Sequence, residues 1–405
     1  MHKPELLAPA GDLEKLKSAI IYGADAVYLG GKQFSLRAGA ANFGRQELAE
    51  GVEFAHRHGA NVYVAVNIFA HNQDIETLPG YFSFLEDVGV DGVIVSDPGV
   101  LTVLRRTAPD LPVHLSTQAN TTNYVSARFW QEQGVKRIVL ARELSLEEIK
   151  QTAARVDVEL EVFVHGAMCM AYSGRCLLSS YLTGRDANRG DCAQPCRWKY
   201  HLVEEKRPGQ YFPVLEEERG TYFMSSRDLC LIEYIPQLIK AGVKSFKIEG
   251  RMKSVHYVST VVKSYRQAID RYFADPQNYT LDERWMEEIS KVSHRDYTTG
   301  FILGPPGREA QSDKPSQYRR DYSFVGIVRR YDQGTGMALV EQRNNFAVGD
   351  KVEVFQPRGE NFTFTVREIY SEEGEPQSSA PHPQQRLKIP MQPVERWSML
   401  RKIVK

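Results

Sequence analysis

The 405-residue sequence predicts an α/β fold: a (β/α)8 TIM-type barrel with a cysteine-rich insertion after its seventh strand, then a small C-terminal all-β domain. Three observations predict it. Short apolar runs alternate with longer amphipathic stretches through the first two thirds, which implies a parallel sheet covered on both faces. Glycines recur between a helix and the next strand, at Gly23, Gly59, Gly89, Gly134 and Gly242, where a helix C-cap needs left-handed backbone. From Tyr322 the period changes to short alternating strands with glycine-containing turns.

The strands follow in order. ELLAPAG (5–11) is the first, with a helix from DLEKLKSAIIYG. ADAVYLGG (24–31), NVYVAVNIFA (61–70), DGVIVSDPG (91–99), VHLSTQAN (113–120) and KRIVLAREL (136–144) are the second to sixth, each with a helix behind it. Ser145 and Glu148 open the sixth helix as a capping box, in which each side chain satisfies an orphan backbone donor. ELEVFVHGA (159–167) is the seventh strand. After a long irregular insertion comes LIEYIPQLIKAG as a helix, then VKSFKIEGR (243–251) as the eighth strand and a long helix through Tyr272. Eight units favour a closed barrel over an open doubly wound sheet, and no GxGxxG follows the first strand.

This places the barrel in 1–275, with the insertion near 168–230. Residues 276–320, with Pro305, Pro306 and Pro315, read as a linker, and 321–405 as a small β-barrel or sandwich in which 371–385 is a loop.

Apolar content of 42% and charged content of 25% are those of a soluble globular protein. The net charge of zero exerts no global pull toward nucleic acid or membrane, so any such contact must come from local patches. MHKPELLAPAGD has no apolar signal-like core and no run reaches membrane-spanning length, so the expected compartment is cytoplasmic, with no membrane contact. Disulfides are rare there, and five cysteines are an odd count for a disulfide framework.

Four of those five, Cys169, Cys176, Cys192 and Cys196, crowd into the insertion, and Cys230 lies near its end. The insertion starts where the seventh strand ends, which is the face where barrel active sites form. Three readings compete for the thiols. Free cysteine packs like a small hydrophobe, but clustering speaks against that default. Zinc knuckles use short C-x2–4-C pairs, and only Cys192 and Cys196 have such spacing. Four thiolates from scattered positions suffice for a 4Fe-4S centre, and Met168, Met170, Leu177 and Leu178 suit a shielded cluster. No HExxH occurs, which sets aside a zincin-type protease. Nor is there the compact CxxxCxxC run of enzymes that cleave S-adenosylmethionine.

The other strand ends carry a polar crown: Asn67 and Asn72; Ser96 and Asp97; Ser116, Thr117, Gln118 and Asn120; Arg142 and Glu143; His165; Glu249, Arg251 and Lys253. Loop-facing ends are polar in any case, so the set counts for more than its members. His165, Arg142 and Glu249 are the candidate catalytic residues, and Asn67, Gln118, Arg251 and Lys253 the candidate substrate-binding residues. Arg142, Arg251 and Lys253 together suit a small anion, since arginine presents a fork matching carboxylate or phosphate. Arg185, Arg189, Arg197 and Lys199 in the insertion, and Arg319, Arg320, Arg329 and Arg330 near the domain junction, are candidate phosphate contacts. Tyr318 and Tyr322 are candidates for stacking on bases, against core packing.

Glu161, Phe163, Gly166, Ala167, Met168, Cys169, Gly174, Cys176, Leu178 and Ser179 resemble the signature of the collagenase-like peptidase family U32. LLAPAGD, ADAVYLGG, RGDCAQPCRW, KIEGRMKS and SHRDYTTGF resemble it too, so the likeness covers barrel and linker, and the last domain is similar to that of longer members. The family name says peptidase, but the resemblance implies RNA and quinone hydroxylation proteins with a 4Fe-4S cluster. One branch of this domain plan hydroxylates carbon 5 of the tRNA wobble uridine, with prephenate as co-substrate and implied oxygen source. Other branches modify an rRNA cytidine or serve ubiquinone synthesis. The resemblance implies Cys169, Cys176, Cys192 and Cys230 as ligands, with Cys196 the alternative. A base acted on must leave its stack, which suits a barrel mouth. Peptidase activity and a scaffold with a structural metal are the competing functions. Oligomeric state is not legible.

Overall fold

The computed structural model describes residues 2–35, 41–169, 171–173, 175–198, 201–203, 211–213, 227–305 and 321–404. Of the residues singled out above, Met170, Gly174, Lys199, Pro306, Pro315, Tyr318, Arg319 and Arg320 lie outside them.

Strand and helix alternate from β1 (Glu5–Pro9) and α1 (Leu13–Ile21) to β2 (Ala26–Gly30), α2 (Arg45–Arg57) and β3 (Asn61–Val66). A short α3 (Asn72–Ile75) and α4 (Leu78–Val88) lead to β4 (Gly92–Val95) and α5 (Pro98–Thr107). Then come β5 (Val113–Leu115), α6 (Tyr124–Glu132), β6 (Arg137–Val139), α7 (Leu146–Ala153) and β7 (Glu159–Ala167). The insertion carries α8 (Leu178–Thr183) and the paired strands β8 (His201–Val203) and β9 (Tyr211–Pro213). β10 (Asp228–Cys230), α9 (Ile235–Lys240), β11 (Ser245–Ile248) and α10 (Val255–Ala274) complete the series.

Neighbouring strands β1 to β7 pair in parallel, and β11 pairs in parallel with both β1 and β7. The eight-stranded barrel is therefore closed. Local chemistry starts its helices. Asp12, Asp97, Asn123, Ser145 and Ser254 each accept a first-turn backbone N–H, and the Ser145–Glu148 capping box is reciprocal. Asp97 thus has a capping role at the strand-four exit.

The segment expected as a linker is structured in its described part. α11 (Glu283–Ser290) packs Trp285 and Ile289 into the main core, and β12 (Tyr297–Thr298) pairs in parallel with β10. Pattern reading passed over them because α11 spans only eight residues and β12 two.

The last domain is all-β and antiparallel: β13 (Tyr322–Asp332), β14 (Met337–Gln342), β15 (Lys351–Phe355), β16 (Phe362–Thr365), β17 (Ile369–Ser371), β18 (Pro376–Gln377), β19 (Arg386–Pro390) and β20 (Met399–Ile403). They form one sheet in the order β16-β15-β20-β13-β14-β19-β17-β18, over a core that includes Val325, Val340, Val352, Leu387 and Leu400. Part of the expected 371–385 loop pairs as the β17–β18 hairpin.

Polar contacts fasten this domain to the barrel. The buried Tyr22 hydroxyl is shared between the carbonyls of Phe355 and Trp397, at 3.1 and 2.9 Å, and its ring stacks on Phe355. Fully buried Arg401 donates to Glu353 at 3.0 Å and to Glu288 at 2.6 Å. Arg329 bonds Glu14 of α1 and Glu341 of β14. Lys291 and Arg401 stand over the Tyr322 ring. Arg329 and Tyr322 therefore make junction contacts.

Candidate active site at the barrel mouth

The site rests on a charged layer that pattern reading missed. Glu161 is fully buried on β7 and accepts from Lys247 of β11 at 2.7 Å. Arg137 of β6 reaches Glu161 at 3.4 Å, Glu5 of β1 at 2.5 Å and Glu159 at 2.8 Å. Burial alone would raise the Glu161 carboxyl, but the Lys247 and Arg137 charges hold it below its ordinary value. Burial, with Arg137 nearby, pushes the His114 imidazole down to about 3, so it stays neutral. Alternation in Glu159-Leu160-Glu161 and in Phe246-Lys247-Ile248 was the available signal, since alternate residues share a strand face.

Above this layer the structure brings several predicted residues together. The Arg142 guanidinium lies 3.9 Å from the Phe163 ring centroid, donates to the Ala167 carbonyl at 2.8 Å and stands 4.0 Å from Glu249. Tyr28 donates to the Glu249 carboxylate at 3.3 Å. On the neighbouring strands Asn67 donates to Ser116 at 3.4 Å, and Ser116 to Gln118 at 3.5 Å. Among the described residues, the buried Gln118 Nε2 and Arg142 Nε donors have no partner. Buried donors normally have one.

Three predicted residues are placed differently. His165 was expected in the mouth. A register shift in the β7–β11 pairing sets Phe163 against Lys247 but His165 against Ile248, a bulge that re-aims the side chain. His165 is fully buried against Tyr257 and Tyr265 of α10 and Tyr297 of β12, and burial pushes it down to about 3. Its Nδ1 is 3.4 Å from the Tyr265 hydroxyl. Arg251 and Lys253 bond to loop residues. Arg251 is buried and bonds Ser35 at 2.9 Å and Asn42 at 2.7 Å, while Lys253 donates to the Ser293 carbonyl at 3.1 Å.

Gly30 makes the Arg251 clamp possible by close approach. A Cβ there would meet Ser35 Oγ at 2.1 Å and Arg251 Nη2 at 2.4 Å. Gly30→Ala is expected to destabilise the protein by about 1–3 kcal/mol through overpacking, measured by urea unfolding. An unchanged midpoint would show that the loop yields freely.

Cys169 is exposed, Cys176, Cys192 and Cys196 are half-buried and Cys230 is buried, and none of the five is in a disulfide. Cys230 stands opposite His165 where β10 runs antiparallel to β7, with Sγ 3.9 Å from the Tyr265 hydroxyl. Burial pushes its thiol up to about 11. Cys192 Sγ accepts the Gln194 N–H at 3.4 Å, a contact that also suits a metal-bound thiolate. Met168 is buried, and Leu177 is 66% exposed. Among the described residues no three His, Cys, Asp or Glu are grouped to hold a metal ion. The donor set fits a 4Fe-4S group by its chemistry, since four thiolates suffice to hold one. Of the basic residues there, Arg185 pairs with Asp191 and Arg189 with Asp74. The Arg197 side chain lies outside the described part.

Among the described residues no helix is long and apolar enough to cross a membrane. The chain is 50% identical over 387 aligned positions to "tRNA hydroxylation protein P1" of Bacillus subtilis (strain 168), covering 96% of this chain and 92% of that protein. It is 39% identical over 427 positions to "tRNA hydroxylation protein P" of Escherichia coli (strain K12), covering 94% and 92%. To the "23S rRNA 5-hydroxycytidine C2501 synthase" of the same organism it is 35% identical over 376 positions, covering 89% and 56%. Residues 11–312 match the profile of peptidase family U32, and residues 320–401 that of the peptidase family U32 C-terminal domain. With both parts matched and relatives similar along nearly the whole length, the chain belongs to peptidase family U32.

Proposed function

We propose that this protein is an iron–sulfur RNA hydroxylase that converts the tRNA wobble uridine to 5-hydroxyuridine, with prephenate as co-substrate. The similar proteins carry the RNA part of this reading, since two are named tRNA hydroxylation proteins and a third an rRNA hydroxycytidine synthase. The mouth supports it: the unpartnered Gln118 and Arg142 donors suit the carbonyl oxygens of a uracil ring. Phe163 beneath Arg142 gives the site an apolar floor, and Glu249 offers a carboxylate 4.0 Å from Arg142 for moving a proton. Cys169, Cys176, Cys192 and Cys230, with Cys196 as the alternative, would hold the 4Fe-4S group. When bound, that group would supply one-electron chemistry.

The peptidase reading has less behind it. Cys230 and His165 face each other across strands, but the thiol is pushed up to about 11 and the imidazole down to about 3. A cysteine nucleophile needs the opposite: a depressed thiol beside a basic imidazole.

Nucleoside analysis of tRNA from a deletion strain tests the proposal. Loss of 5-hydroxyuridine, restored by the wild-type gene, is expected; an unchanged nucleoside profile rejects the substrate. Retention of 5-hydroxyuridine with loss of rRNA 5-hydroxycytidine would move the reaction to the rRNA branch.

A further inference from the structure

A cavity of about 260 Å³ opens beside the loop from β2 to α2. Phe43, Leu48 and Phe84 supply apolar walls, and Lys32, Arg45 and Tyr81 supply polar lining. The Arg45 guanidinium is held 4.5 Å from the Phe84 ring centroid. Tyr81 is 7% exposed, and among the described residues its hydroxyl has no partner. Burial pushes this phenol up to about 12 against the pull of Arg251 and Arg45, so it keeps its proton and remains a donor. Among the described residues no carboxylate lines the cavity. The nearby Glu47 is turned to the Gly44 N–H, at 2.8 Å.

We propose that this cavity is the subsite for a small organic carboxylate and, resting on the function proposed above, that it takes the co-substrate. Of the cations first expected to hold that anion, Arg251 bonds Ser35 and Asn42, and Lys253 bonds Ser293. Arg251 instead acts as a positioning residue, because Ser35 and Asn42 belong to the loop that carries Lys32 and Phe43. Two cations and a buried hydroxyl donor match carboxylate oxygens, with arginine offering a paired fork. The cavity exceeds what a lone ion needs, approaches the lower end of small-ligand sites, and its apolar walls suit a hydrocarbon ring. An RNA-backbone phosphate could meet the exposed Lys32 and Arg45 but would leave the apolar walls and the buried Tyr81 hydroxyl unused.

Calorimetric titration of the full-length protein with prephenate, and separately with inorganic phosphate, tests this. Wild type is expected to bind prephenate. Lys32→Gln with Arg45→Gln is expected to weaken binding at least about tenfold, because two charge-assisted hydrogen bonds go. Tyr81→Phe, which keeps the ring and so the fold, is expected to weaken it about three- to tenfold with the melting temperature held within about 2 °C. Absence of prephenate binding by wild type, or wild-type affinity in both variants, overturns the subsite. Displacement of prephenate by phosphate at equal concentration also overturns it, in favour of a phosphate site. A strain carrying the double variant that keeps full tRNA 5-hydroxyuridine overturns the subsite alone, whereas an unchanged deletion strain overturns the RNA reading itself.

Discussion

Serine at Cys169, Cys176 or Cys192 is expected to give a folded protein that retains little iron and forms no detectable 5-hydroxyuridine. A thiolate ligand contributes charge and a covalent metal bond that a hydroxyl does not replace, so a loss in metal affinity above about 100-fold is expected. Protein purified and reconstituted without oxygen gives the readouts: iron content and visible absorbance, with far-ultraviolet circular dichroism as the folding control. Cys230→Ser and Cys196→Ser decide the fourth ligand. Iron lost from the first and kept by the second supports Cys230; the reverse assigns Cys196. Cys230 is buried beside Tyr265, so its variant is read against its own melting temperature. Iron retained at wild-type level in the Cys169, Cys176 and Cys192 variants would sink the cluster proposal. Zinc at one equivalent without iron would favour a structural metal instead.

Asp228→Asn is expected to destabilise the protein by about 3–5 kcal/mol, because it leaves a buried guanidinium without its counter-charge. Arg295 donates to Asp228 through Nε at 3.0 Å, Nη2 at 2.7 Å and its backbone N–H at 3.1 Å, and both side chains are almost wholly buried. Burial alone would raise the Asp228 carboxyl, but Arg295 and Lys253 hold it below its ordinary value. A depressed folded-state value stabilises above the unfolded value, near 4, and that contribution is lost as pH falls through the folded one. The wild type is therefore expected to lose stability on the acid side, and Asp228→Asn to lack that component. Urea unfolding from pH 7 to pH 3 measures both. A variant within about 0.5 kcal/mol of wild type would show that the pair contributes nothing net, as some buried pairs do. A replacement of both residues by apolar ones of similar size is expected to recover part of the loss. Asp228 opens β10, the strand that carries Cys230, so the substitution also tests whether this pair places that thiol.

The barrel was legible because each β/α unit is written locally. The ELEVFVHGA strand and the Ser145–Glu148 capping box appear in the structure at the residues expected. α11 and β12 were not legible: eight residues and two carry too little periodic signal, and β12 is a strand only because β10 lies beside it. In the site, Arg142, Glu249, Asn67 and Gln118 could be read from strand ends, since a barrel places every strand's C-terminal end on one face. Arg251 and Lys253 stood on that face as well, but their partners, Ser35, Asn42 and Ser293, come from distant loops.

Sequence alone determined the eight-unit barrel, the all-β ending and the insertion of thiols at the exit of the seventh strand, because period, caps and composition are properties of neighbouring residues. Tertiary structure alone decided that His165 turns to α10, that Glu161, Lys247 and Arg137 meet inside the barrel, and that Arg329 ties the two domains. The physical reason is pairing across distance. A one-residue shift between β7 and β11 re-aims a side chain, and a buried charge is tolerable only where folding has delivered its partner.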